Sequence, residues 1–321
     1  MTLNKKIKAI GLFSGGLDSV LATKLIIDQG IVVVGLTFST PFFSNKNKSI
    51  VKASADQLGI PLYTIELKED YLKMIRNPNH GYGSAINPCI DCRIFMLEKA
   101  KIFMEQNKAH FLFTGEVLGQ RPMSQYRRSL DLIAKASGLS DLLLRPLSAK
   151  LLPITELEKE GLVDRKKLLG ISGRSRKKQL ELVKKYKITT YSAPAGGCLL
   201  TEKGYAEKLK DLWEYKKKVT LKEVSLLKFG RYFISKKARI IVGRNKEENK
   251  ELLNLKSPSD YFFTCPSFPS PVTLLIGDKT KENIKEAARL TARYSDAPNK
   301  EKIVIEYGCK ELDKRIEIEK R

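Results

Sequence analysis

The sequence predicts an α/β protein: a doubly wound parallel sheet joined to a smaller C-terminal α+β domain. Three observations carry that expectation. Short apolar or β-branched runs alternate with amphipathic stretches between residues 8 and 67. The first run turns through two glycines into a helical pattern, and near residue 201 the rhythm gives way to short strands closed by turns.

Residues 8–13 (KAIGLF) read as a buried strand, and Val20, Leu21, Leu25 and Ile26 then recur at helical spacing. Gly30 stops that helix, and residues 31–38 form a β-branched run suited to a strand covered on both faces. A helix over 49–58 and a strand over 61–67 complete a repeating unit whose crossovers are right-handed. Further on, 92–106 reads as a helix, 109–114 as a strand, and 142–147 as a strand or extended loop. Residues 165–187 hold ten basic side chains against one acidic one, Glu181, and are expected on a helix. Residues 191–198 form a loop by their proline and glycine content. Beyond Thr201 a charged helix is expected over 202–218, strands over 231–234, 238–242 and 273–276, a helix over 281–294 and a last strand over 302–307. The expected organisation is a first domain over 1–201, a connecting helix within 202–221 and a second domain over 222–321.

The composition narrows the class of function. Of the 321 residues, 42% are hydrophobic, which excludes a disordered tail or a fibre. Lys and Arg number 59 against 36 Asp and Glu, a formal charge of +23. An excess of that size repels itself in the folded state and points to a polyanionic partner, RNA or DNA. No apolar run approaches the ~20 residues of a membrane span, so no membrane partner is expected. The polar start runs directly into the first strand with no secretory apolar region. Five cysteines are too few, and odd in number, for a disulfide framework, which places the chain in a reducing cytoplasm.

The turn Ser14-Gly15-Gly16-Leu17-Asp18-Ser19 lies between the first strand and first helix. Its glycines let successive N–H groups point into one hollow in front of the positive helix end, which fits a phosphate. Ser14 and Ser19 add hydroxyls, and Asp18 can hold a magnesium ion bridging phosphate oxygens. The loop has neither the lysine of a Walker A sequence nor dinucleotide-binding spacing, which disfavours γ-phosphoryl transfer. Ser-Gly-Gly-x-Asp-Ser resembles the signature of the PP-loop ATP pyrophosphatases. That resemblance implies an adenine nucleotide α-hydrolase-like fold, cleavage of ATP between its α- and β-phosphates and adenylation of a substrate oxygen. It also places adenine near Thr37 and Phe38, which otherwise simply end a core strand.

Cys89-Ile90-Asp91-Cys92 opens a helix after Asn87-Pro88, and Cys198 follows Gly196-Gly197. A lone C-x-x-C fits a zinc half-site or a redox pair. Three cysteines with one open position suit a [4Fe–4S] cluster whose fourth iron binds an outside sulfur, and the alternative is a nucleophilic Cys92 or Cys198 carrying a persulfide. Cys265, Cys309, His80 and His110 are expected to be structural.

Residues 87–93 (NPCIDCR) resemble the N-P-C-x-x-C-N segment of tRNA-specific 2-thiouridylases, with Arg93 in the last position, and the loop ending at Cys198 is similar to theirs. Thr114-Gly115-Glu116-Val117-Leu118-Gly119-Gln120, continued by Ser124-Gln125, resembles a stretch of the tRNA 4-thiouridine synthetases. Both are PP-loop families. The resemblance implies Asp18 and its loop as the ATP site, Gly115, Glu116 and Gln120 as parts of the nucleotide pocket, and Cys89, Cys92 and Cys198 as the sulfur centre.

In the second domain, residues 230–234 (GRYFI), 240–249 (IIVGRNKEEN), 286–290 (EAARL) and 304–307 (VIEY) resemble the NFACT RNA-binding domain. Arg231, Arg239, Arg244 and Lys246 can present charge to phosphates, with Tyr232 or Phe233 stacking on an unpaired base. Arg174, Arg176, Lys177 and Lys178 in the basic run offer a second phosphate-facing surface.

The expected function is an ATP-dependent tRNA sulfurtransferase using ATP, Mg²⁺ and a [4Fe–4S] cluster, with tRNA and a sulfur donor (sulfide or a persulfide carrier) as partners. Asp18, Cys92 and Cys198 are its expected catalytic residues. A PP-loop ligase acting on a carboxylate and a non-catalytic RNA-binding factor are the competing expectations.

Overall fold

β1 (Lys8–Leu12), β2 (Val32–Ser39), β3 (Leu62–Glu66), β4 (Phe111–Thr114) and β5 (Leu143–Leu144) form one sheet in the order β3-β2-β1-β4-β5. Every neighbouring pair is parallel. The computed structural model describes residues 6–43, 48–192 and 198–320.

Alternation along the strands divides the core between the two faces. Ala9, Val33, Phe111 and Phe113 pack with Val20, Leu21 and Leu25 of α1 (Leu17–Ile27), Ala55 of α2 (Lys48–Gln57) and Val183 near the chain's basic run. Ile10, Val34, Leu36 and Leu112 face the other way. There they meet α4 (Cys89–Gln106) through Leu97, Ala100 and Met104, and α5 (Arg127–Ala136) through Ile133. α3 (Glu69–Arg76) buries Tyr71, Leu72 and Ile75 on one side. α6 (Glu156–Lys159) is a single turn held by a capping box between Thr155 and Glu158.

The basic run departs from expectation. Residues 165–187 do not form one helix: Arg165–Lys167 is a short 3₁₀ turn capped by Asp164, and α7 covers only Lys177–Lys185. Gly173 stands between them at φ +85°, a conformation that ends regular structure. His110 sits just ahead of β4 rather than inside it.

The chain divides into two compact units, Met1–Glu202 and Lys203–Arg321. The second opens with α8 (Lys203–Tyr215) and α9 (Leu221–Leu226). β6 (Arg231–Ser235), β7 (Ala238–Val242), α10 (Lys246–Leu255), β8 (Tyr261–Thr264), β9 (Thr273–Gly277), α11 (Lys281–Arg293), β10 (Lys302–Gly308) and β11 (Lys314–Glu319) follow. Its six strands run in the order β11-β10-β8-β9-β7-β6, each neighbouring pair antiparallel. α11 lays Ala287, Ala288 and Ala292 against Ile240, Val242, Leu275, Ile303 and Ile305, while Leu226 and Leu252 cover Ile241 and Leu274 on the opposite face. β10 is not the last strand: β11 pairs with it in a hairpin that sets Ile303 opposite Ile318. Among the described residues no helix is long and apolar enough to cross a membrane.

Candidate active site at the reversal of the sheet order

Strand order reverses between β1 and β4, so the connections leaving their carboxyl ends diverge and open a crevice. The glycine turn forms one wall. Gly15 adopts φ +68°, and a Cβ there would lie 2.8 Å from the Val51 Cα, so glycine is required twice over. α1 begins immediately behind, with Gly16 at its N-cap. Ser19 Oγ donates to the Gly16 carbonyl at 2.9 Å, and Ser14 Oγ lies 3.3 Å from Ser19 Oγ, so both hydroxyls stay within the turn. Ser192 pairs with Gly16 in a short parallel bridge, its N–H donating to the Gly15 carbonyl at 2.6 Å.

The opposite wall comes from the loop after β4. A Cβ on Gly115 would fall 2.6 Å from the Asp18 carbonyl carbon and the Ser19 nitrogen, which lets this loop run against the first turn of α1. Gln120 Nε2 donates to Asp18 Oδ2 at 2.6 Å. Gln179, fully buried in α7, donates through Nε2 to Gln120 Oε1 at 2.9 Å and approaches Asp18 Oδ1 at 3.4 Å. Glu116 is buried. Its Oε2 accepts from Arg145 Nε and Thr114 Oγ1, each at 3.1 Å, and Arg93 Nε stands 3.6 Å from its Oε1. Burial would raise the Glu116 carboxyl, but Arg145 and Arg93 outweigh it and hold it below the usual carboxylate range. Thr37 and Phe38 sit half-buried in the last part of β2, where Phe38 packs toward the α4 side of the sheet.

Four buried side-chain polar atoms among the described residues lack a hydrogen-bond partner, and three belong to this crevice: Glu116 Oε1, Gln179 Oε1 and Ser192 Oγ. Buried polar groups are normally satisfied, so three such atoms around Asp18 single this crevice out from the rest of the described fold. The glycine hollow, the serine hydroxyls and the Asp18 carboxylate fit a nucleotide phosphate with its magnesium.

The thiols gather close by. Cys89 Sγ accepts from Asn87 Nδ2 at 3.0 Å, and Cys92 Sγ lies 3.1 Å from the buried Tyr71 hydroxyl. Cys198 is half-buried, and the preceding Gly196 and Gly197 lie outside the described residues. All three sulfurs act electrostatically on Tyr71, whose hydroxyl is pushed well up, first by burial and then by Cys92. Burial pushes Cys198 up to about 12, with Cys92 and Cys89 adding to it. The three cysteines singled out in the sequence therefore lie within electrostatic range of Tyr71 and of one another. Among the described residues, however, no three His, Cys, Asp or Glu side chains are arranged to hold a metal ion. Three thiolates are the soft donors an iron–sulfur cluster takes, and they fit that group by their chemistry although they do not converge on a single ion.

Arg121 is exposed, yet partial burial lowers its pKa, as do Arg93 and Arg176, while Asp18 and Cys89 act in the opposite sense. One guanidinium thus lies in electrostatic range of both the glycine-turn carboxylate and a thiol. Sequence reading missed Arg121, Arg145, Tyr71, Ser192 and Gln179. The only signal for Gln179 was a single uncharged amide directly following Arg176-Lys177-Lys178. His80 and His110 take structural positions. His80 bonds Asp91 at 3.0 Å, and His110 Nδ1 accepts the Lys8 N–H at 3.1 Å.

Arg174, Lys177 and Lys178 are exposed and Arg176 half-buried at the start of α7. In the second unit Arg231 is exposed, its guanidinium 4.3 Å from the Tyr294 ring centre. Arg244 is turned onto Glu248, with Nε 2.9 Å from Oε1. Arg239 does not face solvent: it is buried and forked onto Asp211, which also accepts from the Tyr232 hydroxyl at 2.6 Å. That correction moves Arg239 and Tyr232 from phosphate and base contact to holding β7 and β6 against α8. Cys265 is buried in the core of this unit, and Cys309 approaches the Ser259 carbonyl.

The chain is 27% identical over 182 residues to the tRNA-specific 2-thiouridylase MnmA of Syntrophotalea carbinolica, covering 49% of each chain. It is 33% identical over 144 residues to a probable tRNA sulfurtransferase of Finegoldia magna, covering 43% of this chain and 35% of that one. It therefore spans about a third to a half of the length of these relatives. Among solved structures, a 4-thiouridine synthetase–RNA complex with bound ATP matches with TM-score 0.37 at 21% identity, over 68% of this chain and 52% of that one. The U34-tRNA thiolase NcsA of Methanococcus maripaludis with its [4Fe–4S] cluster matches with TM-score 0.35 at 15% identity, over 66% and 68%. Residues 230–320 match the NFACT protein RNA binding domain. Residues 5–179, more than half of the chain and the whole of the crevice up to Gln179, match the model of the thiamine biosynthesis protein (ThiI), and the protein belongs to that family.

Proposed function

We propose that the protein is an ATP-dependent tRNA sulfurtransferase of the cytoplasm, replacing a uridine carbonyl oxygen with sulfur. The observation that supports this most is the Arg93–Glu116 pair, Nε 3.6 Å from Oε1. Arg93 directly follows Cys92 on α4 and Glu116 directly follows Gly115, which packs on the Asp18 backbone, so the thiol segment and the nucleotide wall meet at one place.

In this reading the ATP phosphates lie on the N–H groups of Gly15 and Gly16 with Ser14 and Ser19 beside them, and adenine lies toward Thr37 and Phe38. Asp18 is the residue that would hold magnesium, which would neutralise phosphate charge when bound. Gly115 brings the second wall close, Gln120 orients the Asp18 carboxylate, and Glu116 fixes Arg93 and Arg145. The uridine carbonyl oxygen attacks the α-phosphorus and pyrophosphate leaves, which turns the oxygen into part of an AMP leaving group. Sulfide attacks the activated carbon directly and AMP departs. Where a persulfide carrier has instead transferred its outer sulfur to one of the cysteines, that outer sulfur attacks as AMP departs. A second cysteine thiolate then attacks the inner sulfur and breaks the S–S bond to release thiouridine, and the cysteine disulfide left behind is reopened by a thiol reductant. Cys89, Cys92 and Cys198 are the residues that would hold a [4Fe–4S] cluster, and a cluster would supply an open iron for the incoming sulfur. The basic start of α7 and the exposed Arg231 and Arg244 of the second domain hold the RNA backbone.

Pyrophosphate release and thionucleoside content, read by mass, test the reading with Asp18→Ala and Cys198→Ala proteins. The first variant is expected to lose both, and the second to keep ATP- and tRNA-dependent adenylation while losing thiouridine. Normal thiouridine formation by Cys198→Ala would remove that residue from the reaction. ATP turnover indifferent to tRNA would favour a carboxylate-activating ligase, and no turnover at all an RNA-binding factor.

A further inference from the structure

Asp18, Gln120 and Gln179 form a closed ring of side chains drawn from α1, the loop after β4 and α7. Its hydrogen-bond polarity is forced. A carboxylate only accepts, so Gln120 must present Nε2 to Asp18, at 2.6 Å, and must therefore accept through Oε1. Gln179 must then donate Nε2 to that oxygen, at 2.9 Å, which leaves its own Oε1 buried with no partner. Gln179 is wholly shielded from solvent, so an amide there is costly unless the ring needs it. The backbone adds a second constraint. Gln179 stands in the first turn of α7, directly after Arg176, Lys177 and Lys178, and helical geometry moves these residues as one body.

We propose that Gln179 is the positioning residue for the Asp18 carboxylate, and that it links the grip on the nucleotide to whatever occupies the basic start of α7. The proposal rests on the reading of that basic start as an RNA surface. An RNA phosphate drawn onto Lys177 and Lys178 fixes the helix start, the helix start fixes the Gln179 amide, and the amide fixes Asp18 through Gln120. Linkage makes the effect reciprocal: RNA tightens ATP by the same factor by which ATP tightens RNA.

The test measures dissociation constants of ATP with magnesium, with and without unfractionated tRNA, for the wild type, Gln179→Met, Asp18→Asn and the double variant. Methionine keeps the volume and removes the amide, and thermal midpoints confirm that each variant is folded. The wild type is expected to bind ATP several-fold more tightly with tRNA. Gln179→Met is expected to weaken ATP by roughly 10-fold, the scale of a lost hydrogen bond to a charged group. It is also expected to erase the tRNA effect while leaving tRNA affinity without ATP unchanged. In the Asp18→Asn background the same substitution is expected to change little, because its effect runs through that carboxylate. Additive losses in the double variant, or a tRNA effect that survives Gln179→Met, would overturn the proposal. Failure of the protein to make thiouridine, with these ATP results intact, would overturn the sulfurtransferase reading and leave the positioning role standing.

Discussion

The Tyr71 hydroxyl stands 3.1 Å from Cys92 Sγ, inside the first unit and shielded from solvent. The tyrosine is carried by α3 and the cysteine by the first turn of α4, so the contact ties the thiols to an element that no motif announced. Burial pushes the Cys92 thiol up, and the Tyr71 hydroxyl works against that rise by offering a hydrogen bond to the thiolate.

Burial therefore favours the protonated form of the Cys92 and Cys198 thiols, and their reactivity should follow pH with a late onset. Alkylation by iodoacetamide, followed peptide by peptide, is expected to be slow at Cys198 in neutral solution. It should accelerate only as the pH climbs from the ordinary thiol value of 9.0 toward about 12. Tyr71→Phe should slow Cys92 further, since the bond that favours its thiolate is gone. The same shift makes an alkaline liability. A raised folded-state pKa contributes stability in full below the unfolded value and loses it as pH rises toward the folded one. Urea midpoints are expected to fall between those limits, and less steeply in Cys198→Ala.

Asp18→Asn keeps the side-chain volume in the Asp18–Gln120–Gln179 ring but removes the charge and turns one of the two acceptors into a donor. Pyrophosphate release should drop on the order of 10²-fold, the scale set by removing one charge-stabilising group from a reacting phosphoryl site. A calorimetric titration with ATP and magnesium, set beside the turnover assay, separates lost binding from lost chemistry.

Glu116 supports the crevice without facing solvent. Replacing it with alanine leaves Arg145 buried beside no carboxylate, an expected cost of about 3–5 kcal/mol read from urea unfolding. Acid should reproduce part of the loss. A lowered carboxyl pKa stabilises above the unfolded value of 4.5 and ceases to do so as pH falls through the folded one. A Glu116→Ala protein should show a flatter stability profile over that acid range.

Two groups of arginines and lysines should separate cleanly in RNA-binding experiments. Neutralising Arg174, Lys177 and Lys178 together is expected to weaken tRNA binding and to flatten its salt dependence, by roughly 0.7–0.9 in slope for each phosphate no longer held. Arg239→Ala should instead lower the thermal midpoint, because it strips the buried fork from Asp211, and should leave the salt slope unchanged. A shallower slope in Arg239→Ala would return that residue to the RNA surface.

The parallel sheet and glycine turn are legible in the sequence because β-branched runs and a Gly-Gly turn are local signals. What resists reading is set by distance or by charge. Gln179 meets Asp18 across 161 positions, and nothing near either residue announces the partner. The basic run reads as a single helix because charge carries no period, yet the 3₁₀ turn and Gly173 divide it. β11 (KRIEIE) escapes because an edge strand buries only one side, leaving isoleucines interleaved with charges that resemble a solvated tail. Glu116 and Gln120 stand out through resemblance to a motif, but their burial follows from Arg145 and Gln179, which lie outside it.

Gly115 gives the crevice its gauge. Where any other residue would hold strand and helix apart by the width of a methyl group, a lone hydrogen lets the two backbones touch. On the sulfurtransferase reading, the gap that admits the nucleotide is thus tuned by omission, and drift at this position can run only toward a looser fit. Alanine is the smallest step away, and it already asks the nucleotide to bridge a wider span than the chain was folded to offer.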